Sequence, residues 1–126
     1  MACHCKGCQR MTSGPYSLSA FYPTARFELI SGEPVPGALH GPSRHMYCPH
    51  CMSWVFTRTE GTDEFVNVRS PMIDGDVFGK PFLETGIDEA FPWARLDAPF
   101  AFEGFPPRDQ FPALIAAYLS RSADQV

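Results

Sequence analysis

The sequence predicts a mainly β domain with one short helix near its C-terminal end and its cysteines gathered in two clusters. Three observations carry this. The 13 Pro and 10 Gly are scattered and cut the chain into short segments, as an all-β domain with frequent turns requires. Several of those segments alternate apolar with polar or small residues, and a single stretch has helical spacing. All 5 cysteines fall in two short polar clusters, Cys3-His4-Cys5-Lys6-Gly7-Cys8 and Cys48-Pro49-His50-Cys51.

In chain order, "YSLSAFY" (16–22) reads as the first strand, and "RFELIS" (26–31) as the next, with Pro23 between them. "GEPVPGALHGP" (32–42) reads as a turn-rich connection. "SRHMYC" (43–48) is a strand leading into the second cysteine cluster. "SWVFTR" (53–58) and "EFVNVRS" (64–70) both alternate, and the intervening "TEGTD" carries Gly61, so they form a hairpin. Residues 71–107 are rich in Pro, Phe and Gly without a clean period and read as loop with short strands. "RDQFPALIAAYLSRS" (108–122) is the helix: Phe111, Leu114, Ile115 and Tyr118 share a face, Pro112 belongs in the first turn, and Asp109 is a candidate cap. The tail beyond Arg121 is polar. Trp54, Phe56, Trp93 and the phenylalanines of 100–105 read as core, because aromatics dominate burial in a small β domain.

The bulk properties narrow the function. A length of 126 residues fits one domain, spanning 1–126, with room for its own core. Lys and Arg total 10 against 14 Asp and Glu, which argues against a nucleic-acid partner or an anionic membrane surface. No apolar run is long enough to span a membrane. No charged segment followed by an apolar one marks a secretory leader, so a cytoplasmic protein is expected. An odd cysteine count in that setting does not suit a disulfide framework.

The spacing of the cysteines points to metal. A Cys-x-x-Cys pair curls around one ion because its intervening residues form a tight turn whose backbone N–H groups face the sulfurs. Gly7 and Pro49 suit such turns. Two pairs separated by a β-rich stretch form the pattern of a tetrahedral zinc site, here Cys5, Cys8, Cys48 and Cys51. Cys3 is then a fifth thiol. Alternatively Cys3, Cys5 and Cys8 form a three-coordinate site with an open position for chemistry, and Cys48 and Cys51 belong elsewhere. Buried inert thiols explain one or two cysteines but not all five. A thiol-redox reading of Cys5 and Cys8 requires a strand before and a helix after the pair, and almost no chain precedes it.

The segments "CHCKGCQRMTSGPY", "HMYCPHCMSWVF", "FVNVRSPMID" and "FEGFPP" together resemble the family of glutathione-dependent formaldehyde-activating enzymes (Gfa) and centromere protein V, over nearly the whole chain. The resemblance implies an Mss4-like zinc domain of folded β-sheets. It also implies a carbon–sulfur lyase that joins or releases formaldehyde and glutathione, the latter as co-substrate. It assigns Cys3, Cys5 and Cys8 to a catalytic zinc, and Cys48 and Cys51 to a structural zinc completed by an earlier C-x-C. That earlier segment is absent here, so the domain reads as N-terminally shortened. The bare sheet edge this would leave favours a homodimer.

A zinc-bound thiol is ionised at neutral pH, and its thiolate attacks formaldehyde to give a hydroxymethyl thioether. The small-molecule partners are thus a thiol and an aldehyde. Glutathione is anionic, so Lys6, Arg10 and Arg44, with Arg69, are candidates for a positive rim, against the plainer reading of ordinary surface charge. His4, His45 and His50 are candidate proton carriers, against the plainer reading of imidazoles that support the site or lie at the surface. His40 is given no role. The contrasting function is a zinc-stabilised β module without catalysis, acting as a binding or scaffold domain. A closed four-thiolate site would favour it.

Overall fold

A computed structural model describes residues 1–40, 42–75 and 79–121. The polar tail beyond Arg121, the last position of the expected helix and the side chain of His40 lie outside the described residues. In chain order the elements are β1 (Ala2–Cys3), α1 (Lys6–Thr12), β2 (Ser17–Pro23), β3 (Val35–His40), β4 (Ser43–Tyr47), β5 (Trp54–Thr59), β6 (Phe65–Arg69), β7 (Leu83–Thr85), β8 (Phe100–Phe102) and α2 (Phe111–Leu119). The chain is mainly β with a short C-terminal helix. It forms two compact units: Met1–Leu18 with the chain from Gly75 onward, and Ser19–Asp74. No helix among the described residues is long and apolar enough to cross a membrane.

The Ser19–Asp74 unit is an antiparallel sheet in the order β3-β4-β5-β6-β2. The alternation read from the sequence becomes its two faces. Met46 sits opposite Phe56, and Phe56 opposite Val68. Phe56 and Val66 are buried, and Phe27 lies against Phe56 with ring centroids 5.0 Å apart. Removing Val66 wholly from water contributes about 1.5–3 kcal/mol. A register shift between Met46 and Tyr47 sets Trp54 opposite Tyr47. This irregularity re-aims Trp54 to the other face, edge-on to His45 at 4.9 Å and beneath the Arg69 guanidinium at 3.9 Å.

Two expectations fail in this unit. Residues 26–31 are not a strand: Thr24–Arg26 form a 3₁₀ turn, and the next residues run on without pairing. Their apolar residues have no common face, since Phe27 packs on Phe56 while Ile30 is 89% exposed. Conversely, the connection 32–42 contains strand β3, in spite of Pro36. Among the described residues β3 pairs with β4 alone, and proline is tolerated where one side of a strand needs no donor.

The other unit is built around β1, two residues long and flanked on both sides. It pairs antiparallel with the start of β2 (Ala2↔Leu18, Cys3↔Ser17) and parallel with β7 (Ala2↔Glu84, Cys3↔Thr85). β8 continues the sheet parallel to β7. The short strands expected in 71–107 are therefore β7 and β8. The C-terminal helix starts later than expected: Arg108–Gln110 is a 3₁₀ turn holding Asp109, and α2 begins at Phe111 with Pro112 in its first turn. Gln110, not Asp109, occupies the cap position. Trp93 is not core; it is 76% exposed and stacks on Phe91, with centroids 5.6 Å apart.

Candidate metal centre

Cys3 ends β1, and two residues later Cys5 caps α1. The Cys5 backbone is extended (φ −60°, ψ 152°), and its Sγ accepts from the Cys8 N–H at 3.5 Å. A thiol in this place does what a serine does at other helix starts. The first turn of the helix then carries Cys8 back to the same side as Cys5. The helix escapes sequence reading because the cysteine motif reads as a tight turn, and its seven residues show no apolar stripe. Its start is further secured from β7's C-terminal side: the Lys6 N–H donates to Glu89 Oε2 at 2.5 Å, placing a carboxylate at the positive end of the helix.

As a result, the sulfurs of Cys3, Cys5 and Cys8 all lie within 4.8 Å of one another. Among the described residues this is the one group of three or more Cys, His, Asp or Glu side chains so arranged. Sulfurs on a tetrahedral zinc stand about 3.8 Å apart, given bonds of about 2.3 Å. The cluster therefore fits an ion with minor adjustment. Cys8 is buried, and Cys3 and Cys5 are half-buried.

The electrostatics match a cation site. Donation from Cys5 and Cys8 holds the Cys3 thiol well below its ordinary value in spite of burial, with the Thr85 hydroxyl assisting. The Cys5 thiol is raised, chiefly by Cys3. Cys8 is raised further, by Cys3, then Cys5, then burial. One sulfur ionises readily, and the others resist a second and third negative charge at such short range. A divalent cation removes that conflict. Ser17 Oγ is buried with no hydrogen-bond partner among the described residues, beside Cys8, where it favours the thiolate. An ionised Cys8 is the acceptor it lacks.

The scaffold under the cluster comes from residues that spacing alone does not single out. The His4 N–H donates to Thr85 O at 2.8 Å. His4 is fully buried, with Nε2 3.0 Å from Glu84 Oε1 and its ring edge-on to Tyr16 at 5.2 Å. Glu84, also fully buried, accepts from Arg95 Nε (3.1 Å), Leu96 N–H (3.0 Å) and Ala98 N–H (3.0 Å). Burial opposes its charge, but the two backbone donors and Arg95 outweigh this and hold its carboxyl down at about 2. Glu84 is thus ionised, and His4 Nε2 carries the proton between them. Gly86 directly follows β7, at φ +64°, and an added Cβ there would lie 2.9 Å from the Cys5 nitrogen. A short "LETG" run ending in glycine is the only local signal for these residues.

The remaining candidates are distributed as follows. Lys6 is exposed; its Nζ donates to Glu89 O at 3.1 Å and Gln9 Oε1 at 3.3 Å, and lies over the Phe91 ring at 5.0 Å. Arg10 is exposed in the last turn of α1. Cys48, Cys51, Arg44, Arg69 and His45 belong to the Ser19–Asp74 unit. Cys48 and Cys51 flank a turn closed by Met52 N–H to Cys48 O at 2.8 Å, with Met52 left-handed at φ +57°. Cys51 is exposed, and its Sγ lies 3.2 Å from Ser53 Oγ, whose hydrogen bond lowers the thiol below its ordinary value. His45 is buried, with Nδ1 2.9 Å from Thr57 Oγ1, which also accepts from Trp54 Nε1 at 2.9 Å. His50 is exposed.

A family model described as glutathione-dependent formaldehyde-activating enzyme (GFA) matches residues 1–85. The chain belongs to this family. The GFA match begins at β1 and runs through the last residue of β7, so it takes in all five cysteines together with Glu84 and Thr85. No curated protein matches the chain.

Proposed function

We propose that this GFA-family chain is a zinc-dependent enzyme of the carbon–sulfur lyase type that joins formaldehyde and glutathione into S-hydroxymethylglutathione. The supporting observation is the convergence of three thiols on one point in a chain of this family, with no further Cys, His, Asp or Glu grouped with them among the described residues. Cys3, Cys5 and Cys8 would hold the ion and leave one position for a thiol. When bound there, zinc supplies a Lewis acid that keeps the thiol of glutathione ionised at neutral pH.

The chain's own residues bind and position. Lys6 adjoins Cys5, and Arg10 lies on the same short helix, so both offer positive charge to the carboxylates of glutathione. Arg44, expected in the same rim, stands in the other unit. Glu84, His4 and Gly86 hold β1 and the start of α1 in place, which fixes where the sulfurs point. The reaction forms one C–S bond and moves the thiol proton to the aldehyde oxygen. His4 is not placed to carry it, being buried with its Nε2 bound to Glu84. In this reading Cys48 and Cys51 form part of a second, structural zinc site.

The test is exchange NMR of formaldehyde with glutathione, with and without the zinc-loaded protein. Accelerated exchange that Cys3→Ser removes supports the reading. Exchange at the uncatalysed rate leaves the non-catalytic zinc module in its place.

A further inference from the structure

The Ser19–Asp74 unit carries a second feature that the cysteine chemistry does not use. On one face of its sheet, Arg44 of β4 stands directly opposite Arg58 of β5. Like charges at directly opposed positions of a sheet repel. Neither arginine forms an ion pair among the described residues. Next along the same face is the apolar pair Met46 and Phe56. The unpaired run after the 3₁₀ turn Thr24–Arg26 arches over this face and leaves a groove of about 530 Å³, which both arginines line together with Phe27, Met46, Phe56 and Glu33.

The groove therefore has a cationic end and an apolar floor. The Arg58 guanidinium lies over the Phe27 ring at 5.5 Å, which leaves its N–H edges free to donate. Arg44 is exposed, and its side chain makes no hydrogen bond or ion pair among the described residues. Two guanidiniums against the single carboxylate of Glu33 leave one positive charge in excess. That balance selects a monoanion.

We infer that this groove is a binding site for a carboxylic acid with an apolar tail, its carboxylate held by Arg44 and Arg58 and its tail laid along Phe27, Met46 and Phe56. The inference is independent of the proposed lyase activity, since neither zinc nor glutathione enters it. The carboxylate offsets the repulsion between the arginines, and the tail covers apolar surface that the arch leaves open.

Octanoate is the probe, titrated calorimetrically into the full chain. It binds one equivalent, at least tenfold tighter than acetate or octyltrimethylammonium. Arg44→Gln and Arg58→Gln each weaken it by roughly tenfold, because each removes a charge-assisted hydrogen bond. Near-UV circular dichroism confirms that the variants keep their fold. If they do not, Glu33→Gln on the exposed arch gives the readout instead: loss of its charge strengthens octanoate several-fold. Octanoate binding that equals octyltrimethylammonium, survives loss of both arginines or is unmoved by Glu33→Gln overturns the assignment. So does binding only to anionic vesicles, which would make this face a membrane contact.

Discussion

Replacing Gly86 by alanine tests how closely the cysteine centre depends on its support. The Cβ would lie 2.9 Å from the Cys5 nitrogen, 3.2 Å from its Cβ and 3.3 Å from its Cα. Two of these are backbone atoms, so no side-chain rotation relieves the contact. The left-handed conformation at φ +64° adds its own penalty of about 1–2 kcal/mol for a residue bearing a Cβ. Overpacking against fixed backbone adds about 1–3 kcal/mol. Gly61 provides the control, because it is left-handed at φ +80° with nothing within 4 Å of its Cβ position. Gly61→Ala therefore carries the conformational penalty alone. Urea unfolding of the two variants separates the terms: Gly86→Ala loses roughly 2–5 kcal/mol and Gly61→Ala about 1–2 kcal/mol. Because the displaced atoms belong to Cys5, competition with a chromophoric chelator also shows zinc affinity falling by roughly 10–100-fold in Gly86→Ala alone. Equal behaviour of the two variants in both assays refutes the argument.

Glu84 makes stability depend on acid. Its carboxyl is lowered from 4.5 to about 2, so its contribution is complete above pH 4.5 and is lost as pH falls toward about 2. That contribution is about 3 kcal/mol, and Glu84→Gln flattens the acid limb of a stability-against-pH curve; an unchanged limb would assign the acid sensitivity to other carboxylates. Cys48→Ser lowers the melting temperature markedly, since structural zinc is coupled to folding; a variant that keeps both metal and melting temperature makes Cys48 a packed thiol only. Cys3→Ser has a milder effect on the fold and removes activity or the catalytic metal, and unfolding as severe as that of Cys48→Ser would contradict this division.

The strands β2, β4, β5 and β6 were legible because each alternates over a sheet with two distinct faces, and the hairpin at Gly61 because its turn needs a left-handed residue. β3 was not legible: an edge strand can hold a proline and glycine that a sequence reader takes for a turn. Residues 26–31 alternate, yet they serve as an arch over a sheet face, and only their packing distinguishes arch from strand. The grouping of Cys3, Cys5 and Cys8 was one of two that the cysteine spacing offered, and only the fold brings these three sulfurs together. What holds them was not legible, because the pairing of Cys3 with Thr85 and the bond from His4 to Glu84 join residues about 80 positions apart through a parallel β1–β7 contact. No local period encodes such a contact. Trp93 misled for the opposite reason, since a large aromatic predicts burial and this one lies stacked on Phe91 at the surface.

In the proposed centre, Cys3, Cys5 and Cys8 hold a zinc ion with one position open to a thiol. X-ray absorption at the zinc edge, recorded before and after glutathione is added, tests it most directly. The expected shell contains sulfur and a lighter atom in the free protein, with the mean sulfur count rising on addition of glutathione and the rise lost in Cys3→Ser. A shell of four sulfurs that glutathione leaves unchanged would contradict it.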